Sequence, residues 1–356
     1  MRVVCHSMAS IVSVGTAVPP HVMPQSLARD MAGDHFGGTI ANVDRYLQVF
    51  KNALVDQRHF CVAPDWFTRD HTLEAKNNLY LDWAERLTAE AIERALGSTD
   101  IDPGSITHIV LVSSSGIATP SLDVALINKL GLDPRVRRLP LFGLGCAAGA
   151  AGLALAGTLA GDSADTTVLL VSVELNSLTF QRDDFAKSNL VAASLFGDGA
   201  AAVVVRGGDD GPIVVLNSTT LLRPRTNRLM GWEFVDTGFR VLFSRRVPET
   251  IRTMMPEAVA NALAGSGVGT DQVSHFVFHP GGTKILDAYQ KKLDRPAEDF
   301  RASYFVLSQY GNMSSATVLF VLDEEIRNSP HRSGDYGLLA AFGPGFSAEV
   351  SLLQWR

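Results

Sequence analysis

Short apolar runs alternate along the chain with segments in which apolar residues recur at helical spacing. The runs at 108–112 (HIVLV) and 168–175 (VLLVSVEL) consist mostly of Val, Leu and Ile, which is typical of strands buried on both faces. The segment 87–97 (LTAEAIERALG) carries apolar residues three or four positions apart, which predicts a helix with one buried stripe. The alternation predicts a layered α/β fold in which helices cover both faces of sheets.

The same order of elements occurs twice. A helix, a Gly-containing loop and a strand fill 87–116, and the same series fills 250–282. Later motifs also correspond, with Gly145-Cys146 opposite Gly311-Asn312 and LFGDG opposite AFGPG. Such self-similarity predicts a duplicated architecture, with an N-terminal half at 1–210 and a C-terminal half at 211–356. The boundary RGGDDG at 206–211 reads as a linker, although a hairpin turn in a continuous sheet would look identical.

Two stretches could be mistaken for targeting or membrane segments. The segment 139–161 (LPLFGLGCAAGAAGLALAGTLAG) has no charge, but its first part predicts a strand and turn, and the Ala- and Gly-rich remainder is too short to span a bilayer. We interpret it as a strand followed by a closely packed, buried helix. The N-terminal segment 1–20 reads as a strand that ends at Pro19-Pro20, and therefore as part of the fold.

Composition narrows the function classes. Hydrophobic residues make up 46% of the chain and charged residues 19%, so a large core is expected. The net charge of −6 argues against a nucleic-acid-binding surface. The three cysteines, Cys5, Cys61 and Cys146, are widely spaced, which favours neither disulfides nor a cysteine zinc site and fits the reducing cytoplasm. Neither a metal-ligand spacing nor a Gly-x-Gly-x-x-Gly dinucleotide motif is present, so no metal or bound cofactor is expected.

Three residues are candidates for chemistry. Cys146 lies at a predicted strand-to-helix turn, where the helix N-terminus would lower the pKa of its thiol. His279 directly follows the strand FVF, and Asn312 takes in the second half the position of Cys146 in the first. Together they fit a thiolate nucleophile with two hydrogen-bond donors for developing negative charge. Taken singly, each could instead be structural: a small buried residue, a strand end and a turn residue.

These motifs resemble those of the thiolase superfamily, in particular the type III polyketide synthases, which are the chalcone-synthase-like enzymes. The resemblance covers nearly the whole chain and rests on GLGCAAGAAG, LFGDGAAAVVV, HPGGTKILD, YGNMSSATVLFVLDE and GPGFSAEVSLLQW. It implies a five-layered αβαβα thiolase fold built from the two duplicated halves. It also implies a homodimeric acyltransferase that uses acyl-CoA and malonyl-CoA as substrates, without stable membrane insertion.

The resemblance also assigns roles to residues. Cys146 would carry the acyl group as a thioester, while His279 and Asn312 would stabilise the enolate formed when malonyl-CoA loses CO2. CoA phosphates would meet cations on the helix matching 43–60 and just after His279, with Arg45, Lys51, Arg58 and Lys284 as candidates. Solvated charges on a helix face remain the alternative for each of these residues.

The predicted substrate pocket departs from that of the plant enzymes. By the resemblance, Val214 and Val241 replace two gatekeeper Phe residues, and Trp232 replaces a pocket Gly. Motifs such as LMGWEF are similar to those of bacterial alkylpyrone and alkylresorcinol synthases, which implies a long acyl chain in an apolar tunnel. The residues expected near the substrate are Ala118, Thr119, Asn176, Thr179, Val214, Trp232, Val241 and Gly281.

The expected product is an alkylpyrone. Three alternatives remain open: an alkylresorcinol synthase, a single-condensation enzyme of the β-ketoacyl synthase III type, and a non-catalytic acyl-CoA-binding protein of the same fold.

Overall fold

The structure is a computed structural model that describes residues 8–356. The predicted N-terminal strand is confirmed as β1, and Cys5 lies outside the described residues. The first half contains β1 (Ala9–Ala17), β2 (His21–Pro24), α1 (Gln25–Gly37), α2 (Val43–Asn52), β3 (Gln57–Phe60), α3 (Leu73–Gly97), β4 (His108–Val112), α4 (Asp123–Leu130), β5 (Arg137–Leu141), α5 (Ala148–Ala160), β6 (Thr167–Leu175), α6 (Lys187–Leu195) and β7 (Asp198–Gly207). The second half contains β8 (Ile213–Leu222), β9 (Met230–Val235), β10 (Gly238–Phe243), α7 (Val247–Leu263), β11 (Val273–Phe278), α8 (Thr283–Leu293), α9 (Arg301–Tyr310), α10 (Thr317–Asn328), β12 (Tyr336–Gly343) and β13 (Ser347–Trp355).

Within residues 8–356, the main sheet has nine strands in the order β11-β12-β13-β8-β1-β7-β6-β4-β5. In the first half, β1, β7 and β6 are antiparallel neighbours, and β6 pairs in parallel with β4. The second half repeats this pattern with β8, β13, β12 and β11. The halves join where β1 pairs with β8. The predicted duplication is therefore confirmed by strand order and direction.

Helices fill three layers around the two halves of this sheet. Helix α5 contacts β4, β6 and β7 of the first half as well as β8, β12 and β13 of the second, and α10 packs against it. Helix α3 covers the outer face of the first half, and α7 covers that of the second. The layers thus follow the order αβαβα, and the predicted fold class is confirmed.

The uncharged segment forms strand β5 and the buried helix α5, as the sequence predicts. Small residues allow the close approach. A Cβ added at Gly149 would lie 2.2 Å from the backbone oxygen of Ser315, and one at Gly152 would lie 2.7 Å from Leu170 Cδ1. Among the described residues, no helix is both long and apolar enough to cross a membrane.

The two central helices begin in the same way, and this corrects one detail of the predicted duplication. A 3₁₀ turn at Gly145–Ala147 leads into α5, and a 3₁₀ turn at Ser314–Ala316 leads into α10. The first residues of these turns, Gly145 and Ser314, have φ angles of 49° and 50°. The structural counterpart of Cys146 is therefore Ser315, and Asn312 lies just before the turn instead of opposite Cys146.

Candidate active site

Cys146 is buried at the start of the central helix layer, with 8% of its surface exposed. Its Sγ atom donates a hydrogen bond to Ser314 Oγ at 3.6 Å. Burial raises the pKa of the Cys146 thiol to about 11, although hydrogen bonds with Ser314 and Asn312 oppose the rise. The predicted lowering of this pKa by the helix N-terminus is therefore wrong for the unliganded protein, because desolvation of the sulfur dominates.

His279 follows β11, and its backbone is fixed from three sides. Its N–H donates to Ala340 O at 2.8 Å, while its carbonyl accepts from Gly281 N and Tyr289 Oη, both at 3.0 Å. The ring is 2% exposed, and neither ring nitrogen has a partner among the described residues. Burial lowers the pKa of His279 to about 3. The imidazole is therefore neutral, with both nitrogens available to a ligand.

Asn312 is held in the turn between α9 and α10. Its backbone N–H donates to Leu195 O at 2.7 Å, and its carbonyl accepts from Gly197 N at 3.0 Å. Its side-chain Oδ1 accepts from Ser314 N at 2.8 Å. Because Oδ1 already accepts this hydrogen bond, the amide Nδ2 is the group of the Asn312 side chain that can donate to a ligand.

Cys146, His279 and Asn312 line one small cavity of about 40 Å³. The structure therefore brings together the three candidates that the sequence identified in separate motifs and separate halves. The arrangement offers a sulfur nucleophile beside two groups that can donate hydrogen bonds to an oxyanion.

A second, larger cavity of about 470 Å³ lies beside the first. Its lining is mainly apolar and includes Met23, Met31, Phe36, Phe60, Phe67 and Phe180. Phe196 and Val241 line both cavities, so they form the wall between the two.

The predicted substrate residues divide between these cavities and the rest of the molecule. Trp232 and Gly281 line the small cavity, Asn176 and Thr179 line the large one, and Val241 lines both. Ala118 and Thr119 line neither cavity. They lie on the loop after β4, where Ala118 is half-buried and Thr119 is exposed.

The prediction that Val214 lines the pocket is contradicted by the structure. Val214 is fully buried near the start of β8, where it pairs with Ser10 of β1 and Gln354 of β13. Val214 lines neither cavity, because its side chain is packed in the core between the sheet and the covering helices.

Two phenylalanines were missed by the sequence reasoning. Phe196 and Phe342 occupy the same position in LFGDG and AFGPG, and both line the cavity of Cys146. Phe196 also forms a β-bridge with Asn312, which ties the first half to the second at this point. The duplicated turn was the available signal, since equivalent positions around a duplicated core face the same centre.

A buried carboxylate behind Cys146 was also missed. Glu174 is fully buried on β6 and accepts hydrogen bonds from Ser114 Oγ at 3.0 Å and from Ser315 Oγ. Burial raises the pKa of Glu174. Its position inside an apolar strand gave no sign of these partners.

Arg58 is not available to CoA phosphates, contrary to the prediction. The helix α2 ends at Asn52, and Arg58 lies on β3, 1% exposed. Its guanidinium donates to Gln25 Oε1 and to the carbonyls of Ala193 and Phe196. The other three predicted cations, Arg45, Lys51 and Lys284, are exposed. Within residues 8–356, no cluster of His, Cys, Asp and Glu could hold a metal ion.

A buried thiol beside a neutral imidazole and a carboxamide, in a duplicated five-layer fold, defines an acyl-transferring enzyme of the thiolase type. Comparison with known proteins specifies the family. The profiles of the N-terminal and C-terminal domains of chalcone and stilbene synthases match residues 1–210 and 214–355. The chain belongs to this family, and it is a type III polyketide synthase, an acyltransferase.

Individual relatives agree with this assignment. The chain is 35% identical to a putative chalcone synthase of Bacillus subtilis, over 98% of this chain and 99% of the relative. It is 38% identical to a 1,3,6,8-tetrahydroxynaphthalene synthase of Streptomyces peucetius, over 97% and 93%. The crystal structure of 1,3,6,8-tetrahydroxynaphthalene synthase from Streptomyces coelicolor superposes with a TM-score of 0.93 at 30% identity, covering 98% of this chain and 99% of that one.

Proposed function

We propose that the enzyme loads an acyl group from an acyl-CoA starter onto Cys146 and extends it with malonyl-CoA. Loss of CO2 from malonyl-CoA leaves a thioester enolate, whose carbon attacks the acyl-Cys146 carbonyl and releases the Cys146 sulfur. His279 and Asn312 donate hydrogen bonds to the enolate oxygen. The observation that carries this proposal is that both ring nitrogens of the neutral His279 lie at the cavity of Cys146 without a hydrogen-bond partner from residues 8–356.

The two cavities support a long-chain starter. A volume of about 40 Å³ beside Cys146 has room for little more than a water or two. The neighbouring cavity of about 470 Å³ falls within the usual range for ligand pockets. An acyl chain that passes Phe196 and Val241 would reach this apolar space, where each buried methylene contributes about 0.8 kcal/mol. The released product would be an alkylpyrone, or an alkylresorcinol if the ring closes with loss of CO2.

The test uses malonyl-CoA with a series of starters from hexanoyl-CoA to palmitoyl-CoA, with products identified by mass. We expect kcat/KM to rise steadily with starter length, since each methylene adds apolar burial. Ala28→Phe fills part of the large cavity and should lower kcat/KM for palmitoyl-CoA more than for hexanoyl-CoA. Leu27→Phe, at the exposed neighbouring position of α1, is the matched control and should change neither.

The relatives favour a second candidate function, because one of them is a 1,3,6,8-tetrahydroxynaphthalene synthase. In this second proposal the product is such a polyhydroxyarene, and malonyl-CoA serves as both starter and extender. In that case malonyl-CoA without a starter would give the main product. If kcat/KM does not change with starter length and is unaffected by Ala28→Phe, the long-chain proposal is wrong and this second function takes its place. A single condensation product would instead indicate the β-ketoacyl synthase III type of reaction.

Exposed residues near the first half's sheet edge support a homodimer. Strand β5 is the edge strand of the main sheet. Ile117 and Phe142 follow the carboxyl ends of the adjacent parallel strands β4 and β5, and they are 47% and 55% exposed. A second copy of the chain covering this edge would bury both side chains and would contact the loop that carries Thr119.

A further inference from the structure

A cleft lined by arginines lies next to the cavity of Cys146. It has a volume of about 320 Å³ and is lined by Arg223, Arg225, Arg228 and Arg246. We name it the arginine cleft. The net charge of the chain is −6, so this concentration of positive charge opposes the overall balance.

The cleft and the cavity share a wall. Met230, Phe243, Val247 and Ile251 line the cavity of Cys146, whereas the adjacent residues Leu229, Ser244, Arg246 and Thr250 line the arginine cleft. Residues 250 and 253 of α7 form one stripe with the N-cap residue 246, and residues 247 and 251 form another. The same elements therefore bear an apolar surface on one side and a cationic surface on the other.

In the part of the chain that the structure describes, the arginines of the cleft are not paired with carboxylates. Within residues 8–356, none of its four arginines forms an ion pair. Glu249 lines the cleft, but its carboxylate accepts a hydrogen bond from Arg252 at 2.7 Å. Nearby Glu233 is likewise paired, with Arg240. Like charges held around one space repel one another unless an anion lies between them.

The backbone around the cleft is held in place by hydrogen bonds. Arg223 N donates to Phe346 O at 2.8 Å, and Phe346 N donates to Thr226 Oγ1 at 2.6 Å. Ser244 N donates to Leu229 O at 2.8 Å, which fixes the two cationic segments relative to each other. Arg223 Nη1 is oriented by Thr253 Oγ1 at 2.7 Å. The guanidinium groups therefore extend from a fixed frame.

We propose that the arginine cleft binds a small molecule that carries two or more phosphate groups. A guanidinium group can donate two parallel hydrogen bonds to two oxygens of one phosphate. Several guanidinium groups around one space therefore match a multiply charged anion better than they match a single carboxylate. The volume of the cleft is at the small end of the range for ligand pockets, which fits a diphosphate or a nucleotide and not a protein surface. Two sources share this chemistry: the phosphates of a CoA thioester bound at Cys146, and a separate phosphorylated metabolite.

The experiment measures binding of inorganic pyrophosphate to the full-length protein by calorimetry at low ionic strength. Arg225→Gln combined with Arg228→Gln should weaken binding about tenfold or more, because two charge-assisted contacts are lost. Arg225→Lys, which keeps the charge but loses the planar fork, should weaken it less. Arg332→Gln, at an exposed position outside the cleft, is the control and should bind like the unchanged protein.

Competition distinguishes the two sources. If adenosine 3′,5′-bisphosphate displaces pyrophosphate, and if the double variant has a higher KM for malonyl-CoA, the cleft binds the phosphates of CoA. Retained pyrophosphate binding under saturating CoA indicates a separate ligand. Absence of pyrophosphate binding, or equal binding by the double variant and the unchanged protein, overturns the proposal. The readout is binding, so a failure here is independent of the reaction proposed for Cys146.

Discussion

At the scale of single residues, burial keeps the reactive groups Cys146 and His279 uncharged in the unliganded protein. The pKa of Cys146 is raised to about 11, and that of His279 is lowered to about 3. At neutral pH both groups are therefore neutral. Desolvation accounts for both shifts, since it disfavours the charged form of each group.

This electrostatic state predicts how Cys146 reacts with iodoacetamide. Because only the thiolate reacts, and because the thiol pKa lies well above neutrality, the alkylation rate should rise about tenfold per pH unit between pH 7 and pH 10. The measurement is the rate of alkylation of unliganded protein, with Cys146→Ala as the control for the two other cysteines, Cys5 and Cys61. A rate that is already constant near pH 7 would show a thiolate paired with protonated His279 and would contradict the neutral state.

Asn312 should matter more for one half-reaction than for the other. The charge that its amide stabilises is greatest on the malonyl-derived enolate, and loss of one such donor typically costs about 3–4 kcal/mol of barrier. We expect Asn312→Ala to slow decarboxylation of malonyl-CoA strongly while Cys146 still becomes acylated. Carbon dioxide release and mass detection of the acyl-enzyme measure the two steps separately. Equal losses in both steps would contradict this division of roles.

At the scale of elements, the close approach of α5 to the Ser314–Ala316 turn sets the position of Cys146. Gly149→Ala would bring a Cβ to 2.2 Å from Ser315 O, so we expect a loss of about 1–3 kcal/mol in stability and reduced turnover. Gly157→Ala is the matched control in the same helix, because its Cβ would meet nothing closer than 3.8 Å. Chemical denaturation checks both. Equal stability of the two variants would show that this contact is not tight.

The elements that the sequence predicts well are those with a local signal. β6, α3 and α5 follow from their apolar patterns, and the duplication follows from repeated order. Arg58 was misplaced because the polar pattern of α2 runs on into β3 without a strong stop signal. Val214 was wrongly assigned to the pocket and Phe196 was missed, because the walls of a cavity come from elements that are distant in the chain. The raised pKa of Cys146 depends on burial, which no single motif encodes.

At the scale of the whole molecule, the exposed edge at β5 predicts how two copies associate. Ile117→Asp combined with Phe142→Asp should yield a monomer, because each charge would have to be buried in the proposed interface. Light scattering after size-exclusion chromatography measures the mass. Phe305→Asp, at another exposed phenylalanine, is the control and should remain dimeric. A monomeric unchanged protein, or a dimeric double variant, would contradict an interface at this edge.

The nearly identical φ angles of Gly145 and Ser314 suit one of the two residues better than the other. A left-handed backbone costs a non-glycine residue roughly 1–2 kcal/mol, and glycine avoids this cost. The first copy has glycine at this point, whereas the second copy keeps serine, whose hydroxyl accepts the hydrogen bond from the Cys146 thiol. Stability and reactivity therefore favour different residues at Ser314. At the same left-handed position, one copy of the duplicated turn therefore carries the residue that suits the backbone, and the other carries a side chain that contacts the nucleophile.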